Sequence, residues 1–119
     1  MSSVEPIISR LTLLRTSLAT VLVLAAAGAI AAEPEFRLAI RDHRFVPAEI
    51  RVPSGTKVKL IVENQDATAE EFESKDLKRK KVIPANSSAT VLIGPLKPGR
   101  YAFVGEFHEA TAQGVVIAE

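Results

Sequence analysis

Residues 45–66, FVPAEIRVPSGTKVKLIVENQD, contain the pattern that decides the fold. Ile50 and Val52 enclose an arginine, and after the turn sequence at 53–55 apolar residues return at every second position over 58–62. Alternation with a period of two predicts half-buried strands. The Pro-Ser-Gly turn fits between them because proline presets one φ angle and glycine accepts positive φ. This stretch therefore predicts two short strands joined by a tight turn.

The same alternation continues on both sides of this stretch. It recurs at Phe36–Ile40, Thr90–Ile93, Tyr101–Phe107 and Val115–Ile117. No segment after Ala32 shows a sustained helical period, and the polar segment Asp66–Lys81 is predicted to be a loop with at most one helical turn. We therefore predict an all-β, antiparallel sandwich of about six to eight short strands.

The first 31 residues have the features of an export signal. Arg10 and Arg15 are followed by an uncharged apolar run over 21–32, and Ala29-Ile30-Ala31 supplies small residues for cleavage. The alternative is a membrane anchor, but the charge-free stretch has only 17 residues, and a spanning helix needs about 20. The prediction is a cleaved signal peptide over 1–31, a domain over 32–119, and a periplasmic location.

Composition excludes several classes of protein. The 119 residues include no cysteine, one methionine and two histidines, with 15 basic and 14 acidic side chains. The absence of cysteine excludes disulfides and thiolate metal sites. Removal of residues 1–31 would leave 13 basic and 13 acidic side chains, and this balance argues against nucleic-acid binding driven by charge.

Three segments in this order carry a family resemblance: 45–66, the acidic EEFES at 70–74, and PGRYAFVGEFHEATAQGVVIAE at 98–119. Together they resemble a cupredoxin, and more narrowly the EfeO-type cupredoxin-like domains and the small cupredoxin-like components of bacterial ferrous-iron uptake systems. The resemblance implies a cupredoxin-like Greek-key β-sandwich. It also implies a metal site at one end, between a central loop and the last hairpin.

The copper ligands of that family are not retained. The family pattern places its two histidines, cysteine and methionine at the positions that are here Glu70, His108, Gly105 and Ala112. Only His108 is a ligand of the expected type. A blue-copper site requires a cysteine thiolate, and we therefore predict that the protein has no type 1 copper.

Acidic residues surround the positions where those ligands are missing. The metal ligands predicted from this clustering are Glu71, Glu73, Glu106 and His108, with Glu70 as a further candidate. In strand geometry Glu71 and Glu73 would share one face, as would Glu106 and His108. Oxygen donors with one nitrogen suit iron, manganese or Cu(II), and we expect an iron or copper ion. The alternative is that these glutamates are solvated surface charges.

The remaining distinctive residues have simpler interpretations. His43 is predicted to be structural or merely exposed, and the basic run Lys78–Lys81 to be a solvated loop. The aromatic residues predicted to pack in the core are Phe72, Tyr101, Phe103 and Phe107.

Motifs typical of enzymes, such as a glycine-rich phosphate loop or a nucleophile elbow, are absent from the sequence. The resemblance implies a periplasmic metal-binding accessory protein working with an inner-membrane iron permease and other periplasmic uptake components. Two alternatives stay open. One is a ferroxidase that oxidises Fe(II) before uptake, and the other is a metal-free cupredoxin-shaped interaction module.

Overall fold

Nine β-strands and one 3-10 helix make up the part of the chain that the computed structural model describes, residues 32–119. The strands are β1 Glu35–Arg41, β2 Arg44–Val46, β3 Glu49–Val52, β4 Val58–Asn64, β5 Glu70–Ser74, β6 Arg79–Ile83, β7 Ser87–Ile93, β8 Gly99–Gly105 and β9 Gln113–Ala118. The 3-10 helix, Glu106–His108, lies between β8 and β9. None of the described helical segments has the length and apolar character to cross a membrane. The predicted signal peptide over 1–31 lies outside the described residues.

The strands form two sheets. One has the order β2-β1-β4-β7, and the other has the order β3-β9-β8-β5-β6. The chain passes from one sheet to the other after β2, β3, β4, β6 and β7, so that spatial neighbours are often distant in sequence. The pairs β1/β4 and β3/β9 are parallel, which corrects the prediction of a wholly antiparallel sandwich.

The core lies between the sheets and follows the predicted alternation. In β4, Val58, Leu60 and Val62 are at most 1% exposed, as expected for one face of a half-buried strand. Phe103 stacks on Phe72 with ring centroids 4.9 Å apart and meets Phe45 edge-on at 4.8 Å. These contacts join a residue of the first sheet to two residues of the second. The prediction of an all-β sandwich is confirmed.

The segment predicted to be a loop, Asp66–Lys81, is where the sequence prediction was wrong. It contains all of β5 and the start of β6. The strand β5 is difficult to detect because polar Glu70 and Ser74 occupy buried inward positions beside Phe72. The strand β6 is an exposed edge with four exposed residues out of five, and lysines on such an edge discourage pairing with other chains.

The last hairpin also differs from its prediction. The strand β8 ends at Gly105, and the following residues turn into the 3-10 helix instead of continuing as a strand. Phe107 is 51% exposed and does not pack in the core as predicted. Phe72 and Phe103 are fully buried, and Tyr101 packs against the core from a partly buried position.

Candidate metal centre

The three predicted metal ligands on strand β5 lie on opposite faces of the strand. Glu70 points inward and pairs in register with buried Ile83, whereas Glu73 lies on the opposite face beside Lys80. Two groups of possible donors result. The inner cluster consists of His43, Glu70 and His108, and the outer cluster consists of Glu71, Glu73 and Glu106. Within each cluster one donor atom per residue lies within 4.8 Å of the others.

Glu70 is the centre of the inner cluster and is only 1% exposed. Its Oε1 accepts hydrogen bonds from the backbone N–H of Glu71 at 3.0 Å and of Phe107 at 2.9 Å. Its Oε2 lies 2.6 Å from Nδ1 of His108. Both carboxylate oxygens therefore have partners, as a buried charged group requires. The side chain ties the start of β5 to the 3-10 helix.

The space around Glu70 shows why type 1 copper does not fit. A Cβ atom added at Gly105 would lie 2.7 Å from Cδ of Glu70 and 2.7 Å from Cβ of Ala112. The positions that the family resemblance assigns to cysteine and methionine are thus filled by small residues packed against a carboxylate. The sequence contains no cysteine to provide a thiolate, and the Glu70 side chain occupies the space that a cysteine side chain at position 105 would need.

His108 is held in place by the turn that follows β8. Its carbonyl oxygen accepts hydrogen bonds from the N–H of Thr111 at 3.1 Å and of Ala112 at 2.8 Å. The hydroxyl of Thr111 donates to the carbonyl of His43 at 2.6 Å. These bonds connect the 3-10 helix to the turn between β1 and β2. The two histidines are brought together as a result, and their rings stack with centroids 3.6 Å apart and planes 14° from parallel.

His43 reaches this position through a two-residue hairpin turn. Asp42 and His43 connect the paired residues Arg41 and Arg44 and have positive φ angles of 52° and 56°. Such angles match type I′ hairpin turns but cost non-glycine residues energy. The carboxylate of Asp66 offsets this cost by accepting both N–H groups, at 2.8 Å and 3.0 Å.

Asp66 also faces the His43 ring. Its Oδ2 lies 3.5 Å from Nδ1 of His43. The hydrogen bond from the His43 backbone, followed by that from Asp42, holds the pKa of Asp66 below its ordinary value despite partial burial. The ionised carboxylate of Asp66 is therefore favoured, and it provides an acceptor for the N–H groups of the turn and a negative charge beside the imidazole of His43.

The outer cluster differs in its electrostatics. Nζ of Lys80 lies 3.2 Å from Oε1 of Glu71 and 3.3 Å from Oε2 of Glu106. Oε1 of Glu71 is buried, and its charge is met by the ammonium group of Lys80. A hydrogen bond between the carboxyl groups of Glu73 and Glu106 raises the pKa of Glu73 and lowers that of Glu106. Glu71 and then Glu106 raise the pKa of Lys80.

The five predicted ligands therefore do not form one site. Glu71 and Glu73 share a face as predicted, but Glu106 joins them while His108 faces Glu70, because both residues lie in a 3-10 helix and not in a strand. His43, predicted to be structural or merely exposed, also lies in the inner cluster. The sequence indicates a two-residue turn at Asp42-His43, between two strand-like runs. It does not indicate which residue lies next to this turn in space.

Comparison with known proteins agrees with this architecture. The chain is similar to the metal-binding domain of the Cu(I)-exporting ATPase CopA of Streptococcus pneumoniae D39, with 13% identity, a TM-score of 0.66, and coverage of 76% of this chain and 91% of that one. It is also similar to auracyanin A, a blue copper protein of Chloroflexus aurantiacus, with 12% identity, a TM-score of 0.64, and coverage of 74% and 100%. These similarities concern the fold alone.

Two sequence matches are more specific. The uncharacterized protein RP394 of Rickettsia prowazekii (strain Madrid E) is 48% identical over 83 residues, which are 70% of this chain and 66% of that protein. This chain thus spans slightly less than two thirds of that relative. The family model described as a cupredoxin-like domain matches residues 14–118. The chain belongs to the cupredoxin-like domain family.

Proposed function

We propose that this protein is a periplasmic metal-binding accessory protein of iron uptake. It binds iron, or copper used to oxidise iron, and presents the ion to an inner-membrane permease. The observation that carries the proposal is the inner cluster, in which two imidazoles and a buried carboxylate meet at one end of the sandwich.

The donor set of the inner cluster selects among metals. Imidazole nitrogens suit iron and Cu(II), and the Glu70 carboxylate beside His108 adds the negative charge that favours a cation. Without a thiolate or thioether, the site has no preference for Cu(I). His43 and His108 have side chains that are 43% and 28% exposed, so an ion could reach them from solvent.

The outer cluster is a second candidate site in the same protein. The observation in its favour is that three carboxylates meet around the buried Oε1 of Glu71, whose charge is met by exposed Lys80. Three carboxylates without an imidazole would suit a hard cation such as Fe(III) or Mn(II). An incoming cation would have to displace Lys80, which now neutralises part of the charge.

Two considerations support the location and the partner. The basic, apolar and small-residue sequence over 1–31 is typical of an export signal, and the EEFES and hairpin segments resemble cupredoxin-like components of iron uptake systems. A structural neighbour is described as a copper-binding protein, and CopA, whose metal-binding domain shares this fold, is described as exporting Cu(I). Metal handling is therefore consistent with the fold.

Calorimetric titration of residues 32–119 with Fe(II), Mn(II), Cu(II) and Zn(II) tests the proposal. We expect saturable binding of Fe(II) or Cu(II) that is lost in His108→Ala and retained in Glu71→Ala. The reverse pattern would assign the metal to the outer cluster. No heat with any metal and an unchanged melting temperature would reject metal binding and leave the metal-free interaction module.

Ferroxidase activity is the enzymatic alternative, favoured by two imidazoles beside a buried carboxylate, since imidazole is a common ligand of iron. Each Fe(II) would give one electron to dioxygen, which is reduced to water with protons from solvent, and the negative charge of the nearby carboxylates would stabilise the Fe(III) formed. Oxygen consumption on adding Fe(II) should then fall in His108→Ala, with the Glu71→Ala/Glu106→Ala double variant testing the outer cluster. Rates equal to the uncatalysed rate in the parent protein would exclude the enzyme.

A further inference from the structure

Each imidazole of the inner cluster is backed by its own carboxylate. Nδ1 of His108 lies 2.6 Å from Glu70, and Nδ1 of His43 lies 3.5 Å from Asp66. Among residues 32–119, no group hydrogen bonds to Nε2 of either ring. The two rings thus have the same arrangement, with one nitrogen facing a carboxylate and the other unpaired.

We infer that Glu70 and Asp66 are positioning residues, and that the metal donors are the Nε2 atoms of His43 and His108. The inference rests on the proposed function and identifies its donor atoms. In metal sites a histidine commonly donates its second N–H to a carboxylate, which fixes the tautomer and increases the basicity of the ligating nitrogen. The inner cluster contains this hydrogen-bonded arrangement at His108, and Asp66 lies in the corresponding place beside His43 at 3.5 Å.

The surroundings of Glu70 argue that it is not itself a ligand. Its Oε1 is already engaged by two backbone N–H groups, and its Oε2 by His108. The close contacts at Gly105 and Ala112 leave no space for an ion next to its carboxylate on that side. Because Oε1 of Glu70 accepts from two backbone N–H groups, Oε2 serves as a further acceptor, and the proton of the short contact belongs to Nδ1 of His108. The lone pair of that ring is therefore on Nε2.

The metal position consequently differs from the one that the family resemblance implies. The Glu70 side chain fills the buried position and provides the tie between β5 and the hairpin. The ion binds outside it, on the rings that reach solvent. The lone pair of an imidazole lies in the ring plane, so one ring must tilt out of the 3.6 Å stack before both can bind one ion. His43, on an exposed turn, can tilt without disturbing Glu70.

Nitrogen-15 NMR of the histidine rings tests the assignment on protein treated with chelator, at mildly alkaline pH where imidazole is neutral. We expect His108 to be protonated on Nδ1, and addition of Zn(II) to shift the Nε2 signals of both histidines. Glu70→Gln preserves the side-chain shape and one oxygen acceptor, but its amide N–H would donate to Nδ1. That variant should move the proton to Nε2 and weaken Zn(II) binding about 10- to 100-fold.

Glu63→Gln, at an exposed glutamate of β4 outside both clusters, is the matched control and should change neither the tautomer nor the affinity. Two results would overturn the inference without contradicting the proposed function. One is protonation of His108 on Nε2 in the metal-free parent, and the other is a shift of its Nδ1 signal on addition of Zn(II). These two measurements need no variant. Absence of Zn(II), Cu(II) and Fe(II) binding with the Nδ1 tautomer intact would instead overturn the proposed function and, with it, the metal role of Nε2.

Discussion

The two faces of β5 show how the same residue type acquires different chemistry from its surroundings. Glu70 and Glu71 are adjacent in sequence, and both are largely buried. Glu70 has a partner for each oxygen and joins a histidine pair. Glu71 faces two further carboxyl groups, and its buried Oε1 is paired with the ammonium group of Lys80.

The difference teaches that a cluster of acidic residues is not a single property of the sequence. On the inner face the negative charge is satisfied by fixed backbone donors and an imidazole, so the carboxylate is structural. On the outer face the charge is balanced by exposed Lys80, and the hydrogen bond with Glu106 raises the pKa of Glu73. Such a balance responds to pH, salt and added cations.

Replacing Glu70 and Glu71 one at a time by alanine should give the largest difference in stability between the two faces. Glu70→Ala leaves the N–H groups of Glu71 and Phe107 and Nδ1 of His108 without their acceptor. We expect a loss of about 3–5 kcal/mol in the free energy of unfolding, measured with urea. Glu71→Ala removes only a contact to exposed Lys80 and should cost much less. Similar losses in the two variants would contradict the distinction between the faces.

The close packing around the inner carboxylate provides the next test. Gly105→Ala would place a methyl group 2.7 Å from Glu70 and from Ala112, so we expect a loss of about 1–3 kcal/mol from overpacking. Ala112→Gly removes one of the two obstacles. The double variant should therefore be more stable than the sum of the single effects predicts. Strict additivity would show that the methyl group is accommodated elsewhere.

The sequence predicted the sandwich because most strands alternate cleanly. Val58, Leu60 and Val62 identify their strand without knowledge of any partner, and all three are buried. The strand β5 was missed because the inward position of Glu70 is polar. Its burial depends on Phe107 and His108, which are more than 35 residues away. A local pattern contains no information about such partners.

The candidate site was predictable only in part for the same reason. The period of two in β5 requires Glu70 and Glu71 to face opposite directions, so the separation of the clusters was contained in the pattern. The position of His43 was not, because it depends on a turn fixed by Asp66 from another part of the chain. Glu106 belongs to the outer cluster and His108 to the inner cluster because both lie in a 3-10 helix, which the alternation of the sequence does not predict.

The turn beneath His43 should show a smaller and pH-dependent effect. Asp66→Asn retains an oxygen acceptor but loses the charge that the two N–H groups favour, and we expect a loss of about 1 kcal/mol at neutral pH. The folded-state pKa of Asp66 lies below its ordinary value of 3.8. Its contribution is therefore present above that value and is lost as the pH falls through the lower, folded-state pKa. Unfolding curves of parent and variant should converge in acid, and a constant difference would exclude Asp66 as the cause.

The smallest effect should come from the outer face and have the opposite dependence on pH. The hydrogen bond with Glu106 raises the pKa of Glu73 above its ordinary value of 4.5, so the contribution of Glu73 is full below that value and is lost as the pH rises through the raised pKa. Glu73→Gln mimics the protonated form and can still donate to Glu106. Its melting temperature should match that of the parent in mild acid and exceed it slightly at neutral pH. Glu63→Gln, exposed on β4 of the other sheet, should show no such divergence. If Glu73→Gln also failed to diverge, Glu106 would not raise the pKa of Glu73, and the contrast with the inner face would rest on the partners of Glu70 and Glu71 alone.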